Sequence, residues 1–223
     1  NRYYNFKGLN LSVETLDGLI KHNGPVKNLT KFNRILGKNF FKKKIKFSLN
    51  SSLEAQLASI SDDIAYNSHD LEDGLKSNLF QLKDLKNIPV LDKIVVKHIK
   101  KTKKYSIDLI IRQIIREIIN EMVSDVILTT SKNIKINKIK NLNDIYKTKI
   151  QLVTFSNKMK IFDNKIKKFL KQKMYFHKKV NYKTNYGKKI VTKLFTSIKR
   201  NPRKYIDIKK YNNSNLERII CDY

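Results

Sequence analysis

Residues 51–70, Ser-Ser-Leu-Glu-Ala-Gln-Leu-Ala-Ser-Ile-Ser-Asp-Asp-Ile-Ala-Tyr-Asn-Ser-His-Asp, leave this chain little freedom in what it folds into. Ser51 followed three residues later by Glu54 is a capping-box pattern that starts a helix. From there Leu53, Leu57, Ile60 and Ile64 recur at the spacing of an apolar stripe. On an adjoining face Asp62, Tyr66 and Asp70 stand at i, i+4 and i+8, one turn apart. A helix buried along one side, with an acid, a phenol and an acid along the next, has the donors to hold a metal and a small polar ligand. Spacing alone also allows a plainer reading, in which the acids are the solvated side of an amphipathic helix.

The remaining sequence is helical in character. Only 6 Gly and 3 Pro punctuate 223 residues, too few turn formers for a many-stranded β fold, and the length suffices for one sizeable domain. A short amphipathic helix is expected over residues 11–22, with Ser12 as N-cap and Asn23-Gly24-Pro25 as stop. Residues 26–50, containing Phe40-Phe41 and Lys42-Lys43-Lys44, read as an irregular connection. Helices are then expected at 53–70, 81–88, 91–100 and 105–130, followed by a loop or mobile excursion at 131–146. Further helices are expected at 158–177, 188–199 and 216–222, with breaks at Asn201-Pro202 and at 212–215. The class is all-α. Residues 1–130 are expected to form part of the helical core, including the 53–70 helix, and residues 131–223 a C-terminal helical region continuous with it.

Composition narrows the function classes. One cysteine, Cys221, excludes a disulfide framework and a cysteine zinc site and suits a reducing cytosol. The most apolar stretch, residues 107–128, is interrupted by Asp108, Arg112, Arg116, Glu117, Glu121 and Asp125, so it is a core helix rather than a membrane span. The chain begins with Asn1 and shows no signal peptide. Both ends stop without caps or polar tails, so the sequence is expected to be an excerpt of a longer protein. Against 19 Asp+Glu stand 48 Lys+Arg, a net charge of +29, which suits a polyanionic partner. Lys, Asn and Ile, all with AT-rich codons, dominate together, so compositional drift supplies part of that excess.

Two long motifs carry a resemblance. GLNLSVETLDGLIKHNGP at residues 8–25 and SLEAQ…SDDIAYNSHDLEDGL at residues 52–75 resemble the bacterial deoxyguanosine triphosphate triphosphohydrolase-like proteins, members of the HD-domain metal hydrolases. Shorter collinear matches follow at residues 79–85, 119–127, 153–156, 169–177 and 218–223, so the resemblance spans nearly the whole chain. It implies an HD-type helical bundle, of which this chain would be the C-terminal two-thirds. It also implies a metal held by a His…His-Asp…Asp set. Only the last Asp of that set is present, at Asp62. The other ligands and the catalytic His and Glu are expected upstream of Asn1, so this chain alone is expected to be inactive. His69-Asp70 lies inside the last-ligand motif and does not replace the missing pair, and His22, His98 and His177 have no matching partners.

The resemblance further implies a divalent metal, Mg²⁺ or Mn²⁺ or a transition metal. It implies water attack at the α-phosphorus of a dNTP, releasing a deoxynucleoside and triphosphate. Tyr66 would pack against the deoxyribose, Asp70 would accept a hydrogen bond from the 3′-hydroxyl, and Lys21 would meet the triphosphate. On position alone Lys21 reads better as a favourable cation at a helix C-terminus. His22 and Asn23 are further substrate-side candidates from the same motif, and Asn23 doubles as a C-cap. Phe176 stands where the late motif leads one to expect a basic residue. A homo-oligomer is expected by the resemblance only, a cytoplasmic location from the single cysteine, and no membrane association from the interrupted apolar stretch. The alternatives are a non-enzymatic basic helical protein that binds nucleic acid, single-stranded nucleic acid included, or an inactive split or truncated product.

Overall fold

The computed structural model describes residues 5, 9–30, 45–207 and 215–222. Among them there is no strand, and eight α-helices carry the fold. They are α1 Val13–Ile20, α2 Leu53–Lys76, α3 Leu91–Ile99, α4 Ile107–Ile136, α5 Leu142–Lys147, α6 Asn157–Leu170, α7 Lys178–Arg200 and α8 Leu216–Asp222. The chain divides into two compact units, residues 1–168 and 169–223. No described helix is long and apolar enough to cross a membrane.

In the first unit α4 is the central element, packed on both α2 and α3, while α1 lies on α2. Its Ile114, Ile118 and Met122 have no exposed surface, and Leu71 of α2, Leu91 and Val95 of α3, and Phe162 and Ile166 of α6 are equally enclosed. These positions recur at i, i+4 and i+8 along α4, the stripe that makes an amphipathic helix pack. A partly exposed polar cluster ties α3 to α4. The Glu117 carboxylate accepts from Lys97 at 2.8 Å and meets Nε2 of the buried His98 at 2.6 Å.

Several boundaries differ from expectation. The N-cap of α2 is Ser52, whose hydroxyl accepts from the Ala55 N–H; Ser51 is buried and its carbonyl accepts from Gln56 Nε2 at 3.0 Å. Leu57 is half exposed, because the buried side of α2 is Gln56, Ile60, Ile64, Asn67, Ser68, Leu71 and Leu75. The excursion expected at 131–146 is instead the last two turns of α4 and then α5, which a reciprocal Asn141–Asp144 capping box begins. The helix expected over 158–177 passes at residue 171 into a π turn, Lys171–Tyr175, and α7 starts ten residues before the expected 188. The α7 stop at Asn201-Pro202 and the span of α8 are as expected. Phe40, Phe41 and Lys42, Lys43 and Lys44 lie outside the described residues.

In the second unit α7 and α8 close a small core of Ile198, Ile206, Ile219 and Ile220, with Phe195 and Leu216 against it. Lys199 of α7 pairs with Glu217 of α8 at 2.7 Å.

Two consequences are measurable. A Cβ built on Gly18 of α1 would stand 2.9 Å from the Ala55 Cβ of α2. Gly to Ala inside a helix ordinarily stabilises by about 1 kcal/mol; here Gly18→Ala should destabilise, and adding Ala55→Gly should restore the usual sign in urea unfolding. The second concerns pH. The Lys97 hydrogen bond first, and then His98, hold the Glu117 carboxyl below its ordinary 4.5, against the opposing effect of burial. Because the folded value is depressed, this contribution is fully present above pH 4.5 and disappears as pH falls through the lower folded value. Glu117→Gln should flatten that acid limb of the unfolding midpoint plotted against pH.

Candidate functional site

Helix α1 is capped by Ser12, whose hydroxyl accepts from the Thr15 N–H. Glu14 in its first turn has its carboxyl held below the usual range, by the backbone N–H at the helix start and then by Ser12. The helix ends at Lys21, and the turn beyond it folds back onto α2. Gly24, at φ +92°, donates to the Lys21 carbonyl at 2.8 Å. Ser59 of α2 donates to the His22 carbonyl at 2.5 Å. This places the His22 Nε2 at 3.6 Å from the Asp62 carboxylate, both side chains about half exposed.

Asp62, Tyr66 and Asp70 continue along one outer side of α2. Tyr66 is 64% exposed, Asp62 is exposed and Asp70 is partly buried. The structure therefore brings Asp62, His22, Tyr66 and Asp70 to one region of surface. Asn23 is exposed in the turn beside them.

Lys21 is placed differently. It is buried, its ammonium 2.6 Å from Asp17 one turn back, with the Asn50 carbonyl accepting from it at 3.4 Å. Asn50 in turn donates to the carbonyls of Thr148 and Ile150. Lys21 and Asp17 line a cavity of about 350 Å³ together with Lys46, Tyr146 and Lys147. Burial, and then Asp17 and Glu14, push the Tyr146 phenol above its usual 10.0. Three lysines and a phenolic donor line the cavity against the carboxylates of Glu14 and Asp17, an excess of cations that suits a small anion.

The buried side of α2 holds groups that the sequence reading passed over. Gln56 Oε1 accepts from the backbone N–H of Leu152 and of Val153, at 2.9 and 3.1 Å. Asn67 donates to the buried Asp163 of α6 at 2.6 Å. Asp163 also pairs with Lys167 at 2.9 Å, and Lys167 reaches Asp63 at 3.2 Å. Burial works to lower the Lys167 ammonium, but Asp163 and then Asp63 prevail and hold it above its ordinary value. The available signal was spacing: Gln56, Ile60, Ile64, Asn67 and Leu71 follow one another at helical intervals along a single face.

Asp62 fits one oxygen ligand of a hard divalent cation. Among the described residues no group of three or more His, Cys, Asp or Glu gathers as a complete metal site requires. Taken alone, these residues fit one corner of such a site.

Comparison with known proteins bears on the family of the chain. The chain is 45% identical over 223 residues to the deoxyguanosinetriphosphate triphosphohydrolase-like protein of Pelagibacter ubique (strain HTCC1062), an alignment covering 100% of this chain and 60% of that protein. It is 35% identical over 240 aligned residues to the protein of that name from Bartonella tribocorum (strain CIP 105476 / IBS 506), covering 100% of this chain and 58% of the relative. With the one from Caulobacter vibrioides (strain ATCC 19089 / CIP 103742 / CB 15) it shares 32% identity over 232 residues, with the same coverage. Residues 153–223 match the phosphohydrolase-associated domain. The chain spans about three-fifths of the length of these curated relatives. Matched to them from end to end, it belongs to the deoxyguanosinetriphosphate triphosphohydrolase-like family.

Proposed function

We propose that these residues are the sugar-facing and last-ligand side of a metal-dependent dNTP triphosphohydrolase, with hydrolysis requiring the rest of the length that the relatives possess. The observation that carries this reading is the outer side of α2. There Asp62, Tyr66 and Asp70 stand one turn apart, His22 lies 3.6 Å from Asp62, and the opposite side of the same helix is locked into the core.

Asp62 would be one carboxylate ligand of Mg²⁺, Mn²⁺ or a transition metal, which when bound offsets charge developing at phosphorus. Tyr66, one turn on, would lie against the deoxyribose, its ring occupying the space beside the 2′-carbon. Asp70, a further turn on, would accept from the 3′-hydroxyl. His22 and Asn23, carried there by the turn after α1, would complete the polar rim. Lys21 already has a carboxylate partner, so it would act on the triphosphate by exchanging part of its pairing with Asp17, or through the cavity it shares with Lys46 and Lys147. A homo-oligomer in the cytoplasm is part of this reading.

Tyr66→Ala in the whole protein should weaken dNTP binding and narrow discrimination against the rNTP. Displacing a ring, or leaving Asp70 unpaired, costs roughly 1–3 kcal/mol, about one to two powers of ten in the ratio. Asp70→Asn should lower turnover more than it alters that ratio, since both sugars carry the 3′-hydroxyl. Steady-state kinetics with matched dNTP and rNTP pairs reads both; an unchanged ratio in Tyr66→Ala would overturn the sugar pocket. Asp62→Ala should abolish metal-dependent hydrolysis with helicity retained by circular dichroism, Ala being the best helix former.

A further inference from the structure

The segment from Thr148 to Ser156 has no regular structure of its own before α6, yet it is held from several sides at once. Asn50 donates to the Thr148 and Ile150 carbonyls, and Gln56 accepts from the Leu152 and Val153 N–H groups. Asn133 of α4 donates to the Leu152 carbonyl at 2.9 Å. At the end of the segment Asp125 of α4 accepts from the Ser156 N–H at 2.8 Å and from the Ser156 hydroxyl at 2.6 Å. This segment, the second half of α4 and the start of α6 border a cavity of about 760 Å³, a size that suits a metabolite. Its walls are fixed by directional bonds, so the cavity is formed before any ligand enters.

The lining has two kinds of surface. Leu128, Ile150 and Phe155 supply the apolar part, and Leu128 is left 71% exposed there. Beside them stand Lys132 of α4 and Lys160 of α6, with the hydroxyls of Thr129 and Thr154. Among the described residues the lysines paired with Asp or Glu are Lys21, Lys76, Lys97, Lys167 and Lys199; Lys132 and Lys160 are not among them. Asp125 is the one acid on these walls, and both its oxygens are taken by Ser156. Helix α6 begins at the cavity with Asn157, so the positive end of its dipole adds to the same field.

We propose that this cavity binds a small organic anion, an apolar body carrying a carboxylate or phosphate head. The inference goes beyond the hydrolase reading and does not rest on it. Apolar surface alone would suit a neutral ligand, and two exposed lysines alone would hold an inorganic ion no better than other lysines of this chain. Their meeting in one preformed cavity selects a ligand that has both parts. The head meets the lysines, which act as point charges toward either kind of anion, and the hydroxyls of Thr129 and Thr154 add donors. The body is held by the apolar area it removes from water. A cationic ligand would find no free carboxylate here, because Asp125 is already satisfied.

The test uses the full chain, isotope-labelled for amide NMR, titrated with benzoate and with phenyl phosphate, which tell the two heads apart. Inorganic phosphate supplies a head without a body, and benzyl alcohol a body without a charge. Benzoate, phenyl phosphate or both should shift the amides of Thr129, Lys132, Thr154 and Asn157 saturably. Inorganic phosphate and benzyl alcohol should each bind about tenfold or more weakly, since each lacks one part of the match. Lys132→Gln and Lys160→Gln should each weaken binding up to about fivefold, the range of an exposed ion pair, and their effects should multiply in the double variant. Both lysines are exposed, so the rest of the spectrum should stay unchanged. Four results would overturn the proposal: no saturable shift at these amides; an equal response to inorganic phosphate, which would be a lysine effect alone; an equal response to benzyl alcohol, which would be an apolar crevice alone; or unchanged affinity in the double lysine variant.

Discussion

The approach of α1 to α2 at Gly18 and Ala55 is the contact on which the candidate site depends. A side chain at residue 18 would have to displace the Ala55 Cβ, 2.9 Å away, so only glycine lets the two helices come this close. Because they do, the turn after α1 reaches α2, where Ser59 fixes the His22 carbonyl and the imidazole comes to rest beside Asp62. The same proximity buries Lys21 against Asp17. A wider spacing would dissolve the grouping of His22 with the outer side of α2.

The inner side of α2 explains how a helix can present a polar face to ligands without shifting. Two of its buried side chains are amides, and each is satisfied by a different part of the chain: Gln56 by two consecutive backbone N–H groups, Asn67 by Asp163. Apolar packing alone tolerates small rotations, because dispersion contacts are individually weak and undirected. A buried amide is directional, and turning it away from its partners leaves a desolvated group unpaired at a cost of about 1–3 kcal/mol. The rotation of α2, and with it the direction in which Asp62, Tyr66 and Asp70 point, is held by hydrogen bonds as well as by oil.

The excess of positive charge is not one uniform property. In the first unit cations are repeatedly matched: Lys21 with Asp17, Lys97 with Glu117, Lys167 with Asp163 and Asp63. These pairs join helices or cap them and contribute to order more than to field. On α7 the cations other than Lys199, which meets Glu217, stand in a segment without acids, so their charges add.

Which side chains share a helix face is a property of the chain. The alignment of Asp62, Tyr66 and Asp70, the Ser12 cap, the core stripe of α4 and the stop at Asn201-Pro202 were therefore all legible in the sequence, since each depends on 3.6 residues per turn or on a local backbone rule. Which face is buried is a property of what packs against it. Leu57 has the spacing of a core residue and is half exposed, while Gln56 beside it is enclosed, because residues 152 and 153 supply the donors it needs from nearly a hundred residues away. The polar stretch after residue 130 read as a loop because its side chains name no core, yet α4 continues through it and Asn133 bonds the Leu152 carbonyl. The sequence by itself determined the helices and the order of groups along them. Only the tertiary structure decided that Lys21 faces inward and His22 outward, because neighbouring residues on one turn diverge by about 100° and the energy of burying either is set by partners, Asp17, Asn50 and Asp62, that the fold brings to them.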